Sequence, residues 1–183
     1  MKIRTTELEG VLQIFPDVYR DERGLFMETY SHKKYSLHGL EETFVQDNYS
    51  HSKKRTIRGL HYQLRKPQGK LIRVVKGRVI DVALDIRLNS PTFGDHLLIE
   101  LDDINFNQVY LPPGIAHGFY VTSEFVDLEY KCTDYYDPED QRGVLFSDPL
   151  LRIKFPTKEI IISDQDRDYL PLSQIPEDHL PSF

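Results

Sequence analysis

The stretch KLIRVVKGRVIDVALDIR, residues 70–87, sets the expectation for the fold. It contains two runs rich in β-branched residues on either side of Lys76-Gly77, a pattern that predicts two strands joined by a tight hairpin. In the second run the side chains alternate, so that one face of the predicted strand carries Ile80, Val82, Leu84 and Ile86. The pattern therefore predicts β-structure with a buried face.

Further strands are predicted at short intervals along the chain. They lie at HLLIEL (96–101), NQVYL (107–111), HGFYVT (117–122) and FVDLEYKCT (125–133). Helices are plausible only around 31–39, after Ser31 as a cap, and in a short segment after 164. Many closely spaced strands with few helices predict an all-β antiparallel sandwich or small barrel. The space between two such sheets is a natural ligand site.

Composition limits the kinds of partner. The 183 residues are 39% hydrophobic and 28% charged, which is typical of one folded domain. The formal net charge of -6 argues against a nucleic-acid-binding surface. A small anionic ligand is compatible with this charge if cations gather locally, as they do in SHSKKRTIR (50–58).

The cellular compartment is predicted from the cysteine count and the apolar runs. Cys132 is the single cysteine, so no internal disulfide can form. The first residues, MKIRTTELEG, lack the hydrophobic region of a signal peptide, and no apolar run approaches the length of a membrane span. We therefore expect a cytoplasmic protein without a membrane segment.

Two histidines occupy strand-like segments. His61 lies in TIRGLHYQL (56–64), and His117 follows the proline–glycine turn of LPPGIAHGFYV (111–121). A buried imidazole needs hydrogen-bond partners, so each position carries an energetic cost. On these stretches alone, a hydrogen-bonded core histidine and a functional histidine are both open.

Seven motifs together resemble one family. In chain order they are DERGLFMETY (21–30), FVQDNYS (44–50), IRGLHYQ (57–63), NSPTFG (89–94), PPGIAHGF (112–119), LEYKCTDYYDP (128–138) and ISDQD (162–166). Their order and spacing resemble the dTDP-4-dehydrorhamnose 3,5-epimerases of the cupin superfamily. The resemblance implies a cupin jelly-roll (double-stranded β-helix) β-sandwich with a few short peripheral helices, residues 1–183 forming a single cupin-type epimerase domain. It also implies a homodimer, which would cover exposed strand edges.

The implied reaction inverts carbons next to a ketone in a nucleotide-diphospho 4-keto-6-deoxy-hexose, with dTDP-4-keto-6-deoxyglucose as the expected substrate. Inversion requires a base on one face, a proton donor on the other, and a group that stabilises the enolate oxygen. By resemblance His61 is the base, Asp166 its partner, Lys70 the enolate stabiliser and Tyr130 the acid. Tyr136 is a second candidate for the acid. From composition alone, Asp166 would be a loop carboxylate and Lys70 a strand-edge lysine.

The resemblance also implies the substrate contacts. Arg23 and Arg58 suit diphosphate oxygens, because planar guanidinium groups grip them through two bonds. An aromatic ring such as Phe26 can stack on the nucleobase. One residue, Gln165, departs from the family, which often has a basic residue just before the dyad aspartate. The full set of expected substrate contacts is Arg23, Phe26, Glu28, Gln46, Asn48, Arg58, His117, Tyr136 and Gln165.

Three alternatives stay open. A metal-dependent cupin would gather two closely spaced histidines in its first motif, whereas here that motif reads His61-Tyr62-Gln63, so we expect no metal and no cofactor. A non-catalytic sugar-binding cupin would not need His61, Lys70, Tyr130 and Asp166 together. An epimerase that inverts C3 alone is the third alternative, and the sequence does not separate it from one that inverts C3 and C5.

Overall fold

A computed structural model describes residues 1–157 and 159–183. The described residues form thirteen strands and two short α-helices. The strands are β1 (Lys2–Thr5), β2 (Leu12–Phe15), β3 (Val18–Asp21), β4 (Gly24–Met27), β5 (Gln46–Lys53), β6 (Ile57–Gln63), β7 (Lys70–Lys76), β8 (Arg78–Asp85), β9 (His96–Asp102), β10 (Gln108–Leu111), β11 (Ile115–Val121), β12 (Phe125–Cys132) and β13 (Gln141–Gly143). The helices are α1 (His32–Ser36) and α2 (Asp164–Arg167), and two 3-10 turns follow at Leu172–Gln174 and Glu177–His179.

Two antiparallel sheets make up the body of the fold. One sheet has six strands in the order β1-β2-β10-β7-β12-β5, and the other has five in the order β13-β6-β11-β8-β9. The strands β3 and β4 form a separate two-stranded hairpin. All pairings between named strands are antiparallel in the described residues. The predicted all-β cupin sandwich with short peripheral helices is confirmed.

The predicted hairpin at Lys76-Gly77 is wrong. The strand β7 pairs with β10 and β12 in the six-stranded sheet, while β8 pairs with β11 and β9 in the five-stranded sheet. The turn therefore carries the chain from one sheet to the other. Gly77 has φ of +92°, and a Cβ atom there would lie 2.7 Å from Ser123 Oγ, so glycine is required for both its backbone angle and its size. Two β-rich runs on either side of a Lys-Gly pair are therefore compatible both with a hairpin and with a turn that connects two sheets.

Inward-facing side chains from both sheets form the core between them. Ile72, Val74 and Leu128 come from the six-stranded sheet and pack in one buried cluster with Val79 and Val121 from the five-stranded sheet. Because strand side chains alternate, the rows that carry Ile72 and Leu128 also carry Lys70 and Tyr130 toward the interior. The sandwich thus sends a cation and a phenol into the space between the sheets.

The predicted shared face of β8 exists, but it lies on the outer side of its sheet. Val82, Leu84 and Ile86 pack against Leu172 and Leu180 of the C-terminal segment. The opposite face of β8 points between the sheets, and it carries Asp81, which is fully buried. Both faces of this strand are therefore covered. The alternation of apolar side chains in residues 78–87 thus does not mark one exposed and one buried face.

Both predicted helices are confirmed. The helix α1 begins after Ser31, and α2 begins after Ser163, whose Oγ accepts a hydrogen bond from the backbone N–H of Asp166 at 3.1 Å. In the part of the chain that the structure describes, no helix has the length and apolar character needed to cross a bilayer.

Candidate active site

Two glycines bring β6 and β11 unusually close together beside the two motif histidines. A Cβ atom on Gly59 would lie 2.5 Å from the Cα atom of Gly118, and one on Gly118 would lie 2.6 Å from the carbonyl oxygen of Arg58. His61 and His117 are direct partners in the register of these two strands. Partners in register point to the same face of a sheet. Both imidazoles line a cavity of about 530 Å³, which is within the usual size range of ligand sites.

His61 is held by Asp166. The distance between His61 Nε2 and Asp166 Oδ1 is 2.7 Å, and Asp166 Oδ2 accepts the backbone N–H of Gly59 at 3.1 Å. Burial opposes ionisation of Asp166, but its hydrogen bonds, first among them the one from His61, hold the pKa of this carboxyl below its usual range. An ionised carboxylate only accepts hydrogen bonds, so Nε2 carries the proton and Nδ1 is left to act as a base.

His117 has a partner of its own. The distance between His117 Nε2 and Asp81 Oδ2 is 2.7 Å, and both side chains are buried. The other carboxyl oxygen, Asp81 Oδ1, is buried without a hydrogen-bond partner among the described residues. Sequence analysis missed Asp81, although a charged residue between Val79 and Ala83 on a β-rich run signals a buried polar pair.

Lys70 is the buried cation of the cavity. Only 7% of its surface is exposed, and its Nζ donates one long hydrogen bond of 3.4 Å to the carbonyl oxygen of His61. Burial lowers the pKa of this ammonium, while the nearby Cys132 and Asp81 act in the opposite direction. The ammonium therefore keeps donor capacity for a negative oxygen inside the cavity.

Tyr130 lines the same cavity from the other sheet. It lies on β12, whereas His61 lies on β6, and its ring centroid is 6.4 Å from that of His117. Burial raises the pKa of Tyr130 to about 12, so the phenol keeps its proton at neutral pH. An imidazole and a protonated phenol thus come from opposite walls of one cavity.

Comparison with known proteins agrees with this geometry. The family model described as dTDP-4-dehydrorhamnose 3,5-epimerase matches residues 5–174. The chain belongs to the dTDP-4-dehydrorhamnose 3,5-epimerase family. It is therefore an isomerase of the epimerase type.

Individual relatives cover nearly the whole of this epimerase. The dTDP-4-dehydrorhamnose 3,5-epimerase of Methanothermobacter thermautotrophicus is 45% identical over 174 residues, which are 93% of this chain and 94% of the relative. A dTDP-4-dehydrorhamnose 3-epimerase of Streptomyces niveus is 36% identical over 176 residues, 95% of this chain and 85% of the relative. The crystal structure of a 3,5-epimerase from Legionella pneumophila in complex with dTDP-4-keto-L-rhamnose has a TM-score of 0.96 and 44% identity, covering 100% of this chain and 98% of that one.

Most of the expected substrate contacts of the epimerase line the cavity. Gln46, Asn48, Arg58, Tyr136 and Gln165 do so, as does His117. Within this group the Gln46 amide donates to Asn48 Oδ1 at 3.0 Å, and Gln46 Oε1 accepts the backbone N–H of Tyr136 at 2.9 Å. The Arg58 Nε donates to Ser52 Oγ at 3.0 Å, which orients the guanidinium.

Three expected contacts are not brought to the cavity within one chain. Arg23, Phe26 and Glu28 lie on or next to the β3–β4 hairpin, which joins neither large sheet. Arg23 pairs with Asp21 at 2.6 Å, Glu28 pairs with Lys34 at 2.9 Å, and Phe26 is 72% exposed. The structure of one chain does not bring these three side chains to the other site residues. Their contact with substrate stays a prediction.

Sequence analysis missed several residues around the cavity. The alternation of β5 could have indicated Ser50, because it shares a face with Gln46 and Asn48. No motif pointed to Tyr169, whose ring packs edge-on against His61 with centroids 5.8 Å apart. The further lining residues are Tyr49, Tyr62, Gln63, Gln68, Phe119, Gln141 and Ser163.

Within residues 1–157 and 159–183, the structure contains no group of three or more His, Cys, Asp or Glu residues that could hold a metal ion. Cofactor-free catalysis stays a prediction.

Proposed function

We propose that this epimerase inverts C3 and C5 of a dTDP-4-keto-6-deoxy-hexose by removing and returning protons through an enolate. One observation carries the proposal: a His–Asp pair and a tyrosine line opposite walls of a single cavity that also contains a buried lysine. The relatives named 3,5-epimerases support the choice of substrate.

In this proposal His61 removes the proton next to the ketone. Its Nδ1 has no hydrogen-bond partner among the described residues, while Nε2 is held by Asp166 at 2.7 Å. The proton transfer turns the imidazole into an imidazolium, and the ionised Asp166 stabilises that charge as it forms. Asp166 also keeps the imidazole in the tautomer that can accept a proton at Nδ1.

Lys70 stabilises the enolate. Removal of the proton places negative charge on the ketone oxygen, and a buried ammonium interacts with such charge more strongly than a solvated one does. The shortage of other partners for Lys70 Nζ, which makes one long bond to the carbonyl oxygen of His61, supports this role.

Tyr130 returns a proton to the opposite face of the ring. A phenol with a pKa near 12 is protonated at neutral pH and is a suitable donor to a basic enolate carbon. Tyr136 remains the alternative donor, but it is 52% exposed at the cavity margin, where stacking or hydrogen bonding to substrate suits it better.

The remaining contacts hold the substrate. Arg58 suits the diphosphate, and the amides of Gln46 and Asn48 suit edges of the sugar or base. His117 lies near the sugar, while Gln165 replaces the basic residue that the family often has and would give the substrate a neutral contact. None of these groups requires a cofactor.

A homodimer would complete the site. The β3–β4 hairpin exposes Tyr19, Leu25 and Phe26 at 63%, 45% and 72%. Apolar side chains on an unpaired hairpin favour contact with another protein surface. In a dimer, the hairpin of one copy would supply Arg23, Phe26 and Glu28 to the cavity of the other. A cytoplasmic location stays a prediction that rests on the single cysteine and on the lack of long apolar runs in the sequence.

The second candidate is epimerisation at C3 alone, which the relative from Streptomyces niveus favours. Proton NMR of the product formed from dTDP-4-keto-6-deoxyglucose separates the two. Inversion at both carbons supports the proposal, inversion at C3 alone selects the second candidate, and binding without turnover would favour a non-catalytic cupin.

A further inference from the structure

We propose that Tyr169 is a positioning residue that fixes the orientation of the His61 imidazole. The inference rests on the proposed role of His61 as the base. Tyr169 follows the short helix that carries Asp166, and its ring meets the His61 ring at 75° with centroids 5.8 Å apart. Such an edge contact between rings is favourable and directional.

Gly143 makes the place for the tyrosine ring. In the pairing of β13 with β6, Gly143 lies directly opposite His61. A Cβ atom on Gly143 would overlap the ring of Tyr169, so the ring lies flat on the backbone where a side chain would otherwise stand. The ring therefore occupies the neighbouring position to His61 on the sheet and packs against it from that side.

Two glutamines hold the phenol end of Tyr169. The side-chain amides of Gln141 and Gln165 donate to its hydroxyl oxygen at 3.2 and 3.1 Å. Burial raises the pKa of Tyr169, so the phenol stays neutral. The ring is thus fixed from both sides without placing a second charge beside the His61–Asp166 pair.

The backbone on both sides of Tyr169 is also fixed. The backbone N–H of Asp168 donates to the carbonyl of Asp164 at 3.1 Å, and the N–H of Leu145 donates to the carbonyl of Leu170 at 2.9 Å. The second bond ties the segment to the chain just after β13. Tyr169 therefore belongs to a rigid support and not to a free loop.

A positioning role for Tyr169 follows because Asp166 alone does not fix the tilt of the His61 imidazole. One hydrogen bond at Nε2 constrains one edge of the imidazole, whereas a ring packed against it limits the tilt of the whole plane. A misplacement of about 1 Å in a reacting group can reduce the rate about 100-fold. Residues that lock a catalytic side chain by packing therefore act on the rate more than on substrate affinity.

The test compares Tyr169→Leu with Tyr169→Phe. We expect Tyr169→Leu to lower kcat about tenfold or more with KM within about threefold of the parent, while Tyr169→Phe keeps the ring and restores most of kcat. Nitrogen NMR should show the same His61 tautomer in the parent and in Tyr169→Leu, because Asp166 still holds Nε2, so the loss of kcat reports the position of the imidazole and not its tautomer. Tyr120→Leu is the matched control, because Tyr120 is a buried tyrosine packed on Phe155 that does not line the cavity.

Gly143→Ala tests the same contact with Tyr169 still in place, and it covers the case in which Tyr169→Leu does not fold. It should push the ring away and lower kcat in the parent, again with little change in KM. Where Tyr169→Leu does fold, Gly143→Ala should cost nothing further in that background, because the space beside Gly143 is empty. Such non-additivity is the signature of two residues acting through one contact.

Equal losses in Tyr169→Leu and Tyr120→Leu, a rise in KM alone, or additive effects of the Gly143 and Tyr169 changes would overturn the positioning role. An active His61→Asn variant would instead overturn the assignment of the base. Measuring His61→Asn in the same assay keeps the two failures apart.

Discussion

His61 and Asp166 are 105 residues apart in the chain, and His61 Nε2 lies 2.7 Å from Asp166 Oδ1. The strand β6 lies between β13 and β11 in its sheet, and α2 packs at the margin of the cavity, where Asp166 Oδ2 also accepts the backbone N–H of Gly59. A helix of four residues is thus enough to deliver a buried carboxylate to the imidazole.

Replacing His61 by Asn should abolish turnover. The amide keeps much of the side chain's shape but cannot accept the substrate proton, so kcat should fall by at least about 10²–10⁴-fold. Uptake of solvent deuterium into the sugar, followed by NMR, should disappear as well. The control is His51→Asn, which removes an exposed His–Asp pair on the surface and should leave both rates unchanged. An active His61→Asn variant would return this histidine to a packing role.

Replacing Tyr130 by Phe should separate proton removal from inversion. His61 can still take the proton, exchange it with heavy water and return deuterium to the same face, so the sugar should gain deuterium without changing configuration. Net epimerisation should drop sharply. If Tyr136→Phe shows this pattern and Tyr130→Phe epimerises normally, the acid has been assigned to the wrong tyrosine. If neither variant shows it, the donor is another group or a water molecule.

Replacing Lys70 by Met should lower activity without lowering stability. Without the Lys70 ammonium, the negative charge of the enolate is no longer stabilised, so kcat should fall about 100-fold or more. A buried ammonium without a carboxylate in salt-bridge contact costs desolvation energy, so the free energy of unfolding should stay the same or increase. Denaturant unfolding and steady-state kinetics measure the two effects. Lys76→Met, at the exposed end of the same strand, should change neither activity nor stability by much.

The Asp166 carboxyl should make stability depend on pH in acid. Its folded-state pKa is lowered, with burial opposed by hydrogen bonds, so it stabilises the fold above the unfolded value of about 3.9 and loses this contribution as pH falls through the lower folded pKa. The difference in unfolding free energy between the parent and Asp166→Asn should therefore be full above about pH 5 and shrink below about pH 4. Urea unfolding over this range checks it, and a difference that does not change with pH would contradict it.

Removal of metals should leave the reaction intact. The enolate stabiliser is already a cation, and the first cupin motif reads His61-Tyr62-Gln63 without a second histidine. Chelator-treated protein should contain no stoichiometric transition metal and should keep its activity. If activity is lost on chelation and restored by added metal, the cofactor-free mechanism is wrong.

The sequence by itself predicted the strands β7 to β12 and both short helices. Alternation located β8, Ser31 marked the start of α1, and the resemblance led to most of the residues that line the cavity. These signals are contained in a few neighbouring residues, because side-chain periodicity and backbone capping act over one strand or one turn.

Tertiary structure decided which elements meet. Gly77 allows a sharp turn, but only the burial of both strands among their neighbours sends β7 and β8 into different sheets. The pairing of His117 with Asp81 depends on the register of β11 with β8, and the contact of Tyr169 with His61 depends on the absence of a side chain at Gly143. Such contacts join residues far apart in the chain, and they form because buried polar groups must find partners and buried space must be filled.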